Sequence, residues 1–318
     1  MRTTAPKIVM FALNDIKLLA QRAEALLQRV EQLLPSTSEP DWNSAIAFRW
    51  RVKNTALGRQ TWLQPVPVIS PLKLSDLRNV DDQKEAIEQN TRQFVQGSPA
   101  NNVLLTGSRG TGKSSLIKAC LNAYSKRGLR LIEVDKADLV DLPDIVDLVA
   151  NRPERFIVFC DDLSFDDGES TYKALKVALD GSISAQSDNV LIYATSNRRH
   201  LLPEYMKENL QSKMQEDGEI HHGEAVEEKI SLSERFGLWV SFYPFPQDEY
   251  LDIVNHWLGH FGCNDFEAAR GDALRFALER GSRSGRVAWQ FAKDHAGRLA
   301  STPKRKSRAT KAAKATSK

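Results

Sequence analysis

Apolar residues along the chain keep two different rhythms, and the change between them divides it. Short, nearly continuous apolar runs at 103–105, 131–134, 156–160, 190–194 and 238–242 read as strands buried on both faces. Helical spacing lies between them: 116–126 stopping at Gly128, 144–150 after Pro143, and 171–180 before Gly181. Strands alternating with helices in this way predict a parallel sheet covered on both faces. Beyond Tyr243 the strand rhythm stops. Tyr250, Ile253, Val254, Trp257, Leu258 and Phe261 share one helix face, and further helices are expected over 265–279 and 284–299.

Upstream the pattern is different again. Ala12, Ile16, Leu19, Ala23, Leu26, Val30 and Leu33 alternate spacings of four and three, a helical seam ended by Pro35. It suits either an association helix or one docked within its own N-terminal domain. Trp42, Trp50 and Trp62 follow, half of the six tryptophans, and their density suggests a small packed unit. Arg49 and Arg51 beside Trp50 leave a nucleic-acid or nucleotide contact open. Pro65, Pro67 and Pro71 mark a linker, after which a helix capped by Asp82 and Glu85 is expected to run to about Gln96.

Composition changes this picture at one end only. The 318 residues carry a net charge of +3, but seven of the 44 basic residues stand in 301–318 with no acid. The remaining 37 face 41 acids, so the positive charge belongs to a tail, which is expected to be disordered and to touch DNA or other polyanions weakly. Cys120, Cys160 and Cys263 have no paired spacing, which fits a reducing, cytoplasmic setting better than a metal or disulfide framework. No apolar run reaches the length of a membrane span, so no membrane contact is expected. The adjacent pair His221-His222 sits in a charged stretch without other ligands, and 202–230 reads as a solvated or partner-contacting helix.

The chemistry centres on the run after the first buried strand, Gly107-Ser108-Arg109-Gly110-Thr111-Gly112-Lys113-Ser114-Ser115. It fits G-x-x-x-x-G-K-[ST], with a strand before it and a helix after. Glycines let successive backbone N–H groups curl round a phosphate chain, and the helix N-terminus adds its positive dipole end. Lys113 can reach the β- and γ-phosphates, and the Ser114 hydroxyl can ligate Mg²⁺. The strand at 156–160 ends in Asp161-Asp162, two acids suited to holding Mg²⁺ through water and to orienting an attacking water. Taken alone, the pair could equally open a loop. Asn197, after the strand at 190–194, suits a γ-phosphate or water contact, or a loop cap. Arg235 precedes the last strand and could aim a guanidinium at the γ-phosphate, or be a surface arginine. Arg286 could reach back from the helical part, with Arg283 as its competitor.

Taken in order, these elements resemble an AAA+ ATPase: Walker A, Walker B, sensor 1, the arginine-finger box and sensor 2, followed by a helical lid. More closely, GSRGTGKSS, RFIVFCDDLSF, YATSNRRHL and EKISLSERFGLW resemble the bacterial ATPases grouped as domain of unknown function 815. The resemblance implies a P-loop NTPase three-layer core with a five-stranded parallel sheet in the order 5-1-4-3-2. It also implies ATP between core and lid, and Arg235 acting on a neighbouring subunit of a homo-oligomer. The expected division is 1–70, an N-terminal helical region with linker; 71–243, the core; 244–300, the lid; and 301–318, the tail. ATP with Mg²⁺ is the expected ligand set, and remodelling or assembly of a macromolecular client the expected use.

Two departures from the AAA+ pattern qualify that use. The second Walker B acid is Asp162 instead of Glu, one methylene shorter. The loop Asp135-Lys136-Ala137-Asp138-Leu139 also lacks the aromatic-glycine pair that grips a threaded polypeptide, although Phe165 to Gly168 could serve. Slow turnover is compatible with a nucleotide-gated switch as well as a motor. A DNA-associated loader has only the tail and the general likeness in its favour, and a P-loop kinase fits the Arg235 box and the lid less well.

Overall fold

The computed structural model describes residues 18–25, 40–55, 58–164, 170–180, 188–197 and 234–301. Expectations for the rest of the 12–33 seam, for 165–168, 202–230 and the tail beyond Ser301 lie outside the described residues. The chain divides into two compact units, 1–67 and 68–318.

In the first unit, residues 18–25 are helical and exposed. Among the described residues, the expected helical character of 1–70 does not extend further. Strands β1 (Ala47–Thr55) and β2 (Gly58–Pro65) form an antiparallel hairpin. The cause is a period of two: Phe48, Trp50 and Val52 alternate with Arg49, Arg51 and Lys53 in a stretch rich in aromatic and β-branched residues. Phe48, Trp50 and Leu63 are buried, and Trp42 packs edge-on against Phe48 with ring centroids 4.8 Å apart. The tryptophan cluster is thus a packed unit, built of strands.

The second unit holds five parallel strands: β3 (Val103–Gly107), β4 (Leu129–Glu133), β5 (Arg155–Cys160), β6 (Val190–Ser196) and β7 (Leu238–Phe242). Their order is β4-β5-β6-β3-β7, which is 5-1-4-3-2 when the five are counted along the chain and read from the β7 edge. Val103, Leu104 and Leu105 are wholly buried, as are Phe156, Ile157 and Val158. Helices α1 (Asp81–Val95), α2 (Lys113–Tyr124), α3 (Leu142–Val149) and α4 (Ser170–Asp180) accompany the sheet. Helices α5 (Gln247–His260), α6 (Phe266–Glu279) and α7 (Gly285–Ser301) form the lid.

Helix α1 begins one residue before the expected cap. Val80 stands at its N-cap without a side-chain hydrogen bond, so Asp82 and Glu85 form no capping box. Asp81 and Asp82 instead complement the dipole from within the first turn. The helix buries Ile87, Asn90, Thr91 and Phe94, one helical face. Its two polar members are satisfied. Asn90 Nδ2 donates to the Asn101 carbonyl (2.9 Å) and Asn90 Oδ1 accepts from the Asn101 amide (3.0 Å), which pins the chain just before β3. The Tyr193 hydroxyl on β6 joins both Asn90 (3.0 Å) and Thr91 (3.0 Å), and burial pushes its ionisation well up.

Where β3 ends, Gly107 (φ 120°) lies so close to β7 that a Cβ there would overlap the Phe242 carbonyl. Ser108 N donates to that carbonyl at 3.3 Å. The close approach fixes the direction in which the loop leaves the sheet. Gly107→Ala is expected to lower stability by about 2–4 kcal/mol, overpacking and positive φ together. Urea unfolding monitored by circular dichroism measures this, and an unchanged midpoint contradicts the reading.

Candidate nucleotide-binding site

The carboxyl ends of β3, β5 and β6 meet at one edge of the sheet, and their register sets which residues stand level. Cys160 pairs with Ala194 and Thr106 with Ser196, so Asp161 emerges beside Thr195 and Gly107 beside Asn197. A cleft of about 860 Å³ opens there between the core and the lid. Its polar half is lined by 109–115, Asp161, Asp162, Thr195, Asn197 and Arg286; Leu77, Val80, Phe245 and Trp257 line an apolar half.

The glycine loop is shaped by backbone conformation. Gly107, Gly110 and Gly112 all have positive φ (120°, 75° and 107°), and Gly112 is the N-cap of α2. Thr111 Oγ1 donates to the Ser108 carbonyl at 2.8 Å, closing the loop on itself. Such a turn running into a helix N-terminus presents backbone N–H groups to an anion.

Lys113 is 6% exposed. Its Nζ donates to the Gly107 (2.7 Å) and Ser108 (2.8 Å) carbonyls and to Asn197 Oδ1 (3.1 Å). Burial lowers its pKa to about 8, an effect offset by the carboxylates of Asp161 and Asp162 and reinforced by Arg109 and Arg286. An ammonium held on carbonyls and partly desolvated is poised for the stronger partner that a phosphate oxygen offers.

The acidic side is organised by a hydroxyl that the sequence reading did not single out. Thr195 Oγ1 donates to Asp161 Oδ1 at 2.6 Å and accepts from the Asp162 amide at 2.9 Å. Ser114 Oγ donates to the same Asp161 oxygen at 2.6 Å. Hydroxyl and carboxylate oxygens brought together in this way are the donors a hard cation such as Mg²⁺ takes, so these residues fit one. Asp162 has a left-handed backbone (φ 53°). Asn197 Nδ2 donates to its Oδ1, and Arg109 Nη2 stands 3.7 Å from its Oδ2.

The lid closes the loop from above. Arg286 N donates to the Gly110 carbonyl at 3.3 Å, and a Cβ on Gly110 would come within 2.8 Å of Ser284 Oγ. Ser284 is buried and accepts from Val287 N at 3.3 Å, capping α7. Arg286 therefore lines the cleft; Arg283, exposed, does not. A second seam joins 76–80 to α5: Asn79 Nδ2 donates to the Glu249 carbonyl (3.1 Å) and to Asp252 Oδ2 (3.1 Å). Neither Ser284 nor Asn79 was singled out from the sequence, although Asn79 belongs to the few residue types that tolerate its positive φ of 59°.

Arg235 is the residue not brought together with the others. It stands half-buried in the turn before β7, outside the cleft lining. The remaining residues of the glycine run, Gly107 and Ser108, meet the site through their carbonyls, and Ser115 through the lining itself. Among the described residues no helix is long and apolar enough to cross a membrane.

Because Lys113 loses its proton near pH 8 and a bound phosphate needs the charged form, triphosphate affinity should fall as pH rises past about 8. The decline should approach ~10-fold per pH unit. Titrating a fluorescent ATP analogue from about pH 7 to about pH 9.5 tests this, with Lys113→Ala expected to bind weakly and to flatten the profile. A wild-type profile that stays flat would contradict it.

The geometry can be set beside known proteins. Among solved structures, one point mutant of Thermotoga maritima RuvB is similar with a TM-score of 0.50 and 16% identity, covering 73% of this chain and 67% of that one. A second RuvB point mutant from the same organism gives a TM-score of 0.46 at 16% identity, covering 70% and 64%. The replication initiator DnaA bound to AMPPCP and single-stranded DNA gives 0.45 at 17%, covering 71% and 64%. The chain thus spans slightly less than two thirds of the second RuvB chain, and at these identities the likeness concerns the fold. No curated protein sequence matches the chain. A family model described as "Protein of unknown function (DUF815)" matches residues 43–299. With that match over most of its length, and with the P-loop, paired acids and helical part in the order of an AAA+ fold, the chain belongs to the DUF815 family.

Proposed function

We propose that the protein hydrolyses ATP and uses the cycle to remodel or assemble a macromolecular target. The observation that carries this reading is the convergence of Lys113, Asp161, Asp162 and Asn197 on one cleft end, level with the glycine loop. The loop's N–H groups and Lys113 would take the β- and γ-phosphates, Lys113 exchanging its two carbonyl partners for phosphate oxygens. Ser114, and Asp161 through water, would hold Mg²⁺, which when bound neutralises charge on those phosphates. Asp162 would orient the attacking water and accept its proton, with Asn197 fixing the carboxylate and one face of that water. Arg286 would follow the γ-phosphate from the lid. Adenine over guanine rests on the family, since no guanine-reading Asn-Lys-x-Asp is present.

Arg235 supports an oligomer in this reading. Standing outside the described lining of its own cleft, it would complete the site of a neighbouring copy. Guanidinium groups supplied in this way are worth ~10³-fold or more in phosphoryl transfer.

A second reading, a nucleotide-gated switch with little hydrolysis, is favoured by Asp162. Its side chain is short, and both carboxylate oxygens are already engaged by Asn197 and Arg109.

Steady-state hydrolysis per subunit, followed across protein concentration, separates the two. A motor with shared sites should show a rate per subunit that climbs and then saturates. Lys113→Ala should lose nucleotide binding. Arg235→Ala should retain it and lose turnover by ~10³-fold. Undiminished turnover in Arg235→Ala removes the shared site, and a flat, near-zero rate with ATP bound favours the switch.

A further inference from the structure

The hairpin of the first unit carries cations and no acid. Between Ala47 and Pro65 stand Arg49, Arg51, Lys53 and Arg59 and no acid, whereas acids outnumber bases across 1–300 as a whole. The register sorts these residues by face. Arg49 stands opposite Gln64, Arg51 opposite Trp62 and Lys53 opposite Gln60, and directly opposed residues share a face. One side of the ribbon therefore presents three cations, an indole and two carboxamides. The other side holds Phe48, Trp50 and Leu63, all buried.

The cationic side is accessible. Trp62 is 41% exposed, Lys53 and Gln64 are exposed, and Arg51 is half-buried. Arg51 Nε donates to Gln64 Oε1 at 2.8 Å, which braces the guanidinium across the ladder instead of leaving it to swing. Alternate residues of a strand are about 6.8 Å apart, so the cations form an evenly spaced row. Charges on an exposed strand commonly guard against unwanted pairing. That purpose gives no reason for an exposed tryptophan in the middle of the row.

We propose that this face binds single-stranded nucleic acid, with Arg51 and Lys53 on backbone phosphates and Trp62 stacked on a base. Cations tracking a backbone beside an aromatic platform are the combination that grips unpaired strands without regard to sequence. An acidic peptide would engage the cations and leave Trp62 without a flat partner. A duplex keeps its bases stacked on one another and offers the indole no face. The inference concerns the first unit alone and does not depend on hydrolysis at the cleft.

Fluorescence anisotropy with a labelled oligothymidine of about 20 nucleotides and the full chain tests it. Trp62→Ala is expected to weaken binding about 5- to 100-fold, with Trp62→Phe restoring most of the loss. Lys53→Ala should reduce the slope of log affinity against log salt by about 0.7, the share of one phosphate contact on a single strand. The basic residues of 301–318 are common to every variant, and heparin, which has charge but no bases, should bind Trp62→Ala and wild type alike. The proposal is overturned if Trp62→Ala and Lys53→Ala match wild type in affinity and slope. It is equally overturned if heparin binding falls in step with oligothymidine binding in Trp62→Ala. Tighter binding of a duplex of the same length, or displacement by polyglutamate as effective as by unlabelled oligothymidine, would reassign the face to another partner.

Discussion

Three parallel strands, held in one register, set the positions on which the rest of the site depends. With Thr106 paired to Ser196 and Cys160 to Ala194, the first residues past the ladder fall at a common height. Lys113 can then bridge the Gly107 carbonyl and Asn197, and Thr195 can bind Asp161 while receiving the Asp162 amide. A slip of one residue in β6 would reverse every side chain on it. Tyr193 would leave the Asn90–Thr91 pair, and Thr195 would turn away from both acids. The two residues stand two apart on one face of β6, so a single slip would forfeit both contacts together.

Much of this arrangement was legible in the sequence, for a physical reason. Strands buried on both faces need continuous apolar runs, and a phosphate loop needs glycine at fixed places, so both leave marks in short windows. The five strands and the lid helices follow from such marks, whereas the strand order is what the family resemblance implies. The hairpin was harder. Its period of two was present in Phe48, Trp50 and Val52, but the spacing of three tryptophans drew attention to packing without indicating strands. The preference for Arg286 over its competitor Arg283 was weakly marked. It depends on the angle at which α7 meets the loop, and Ser284 and Gly110 set that angle from positions far apart in the chain.

Asp162 illustrates how a departure from a family pattern can be absorbed locally. A shorter acid reaches less far, yet here its backbone adopts a left-handed conformation, and an amide and a guanidinium stand at its two oxygens. The carboxylate is directed more by its neighbours than by its own length. Positive φ at a non-glycine residue costs of order ~1 kcal/mol or more, a cost that aspartate tolerates better than most residues.

The contact between Gly110 and α7 has a mechanical side. The carbonyl that receives the Arg286 amide belongs to the loop that would wrap the phosphates, so ligand and lid hold two sides of one short length of backbone. Movement of the loop by a few tenths of an ångström would be carried straight into the first turn of a 17-residue helix. At about 1.5 Å per residue that helix is a rigid arm about 25 Å long. Taken up as a tilt of about 5° instead of a translation, such a movement would shift the far end by about 2 Å.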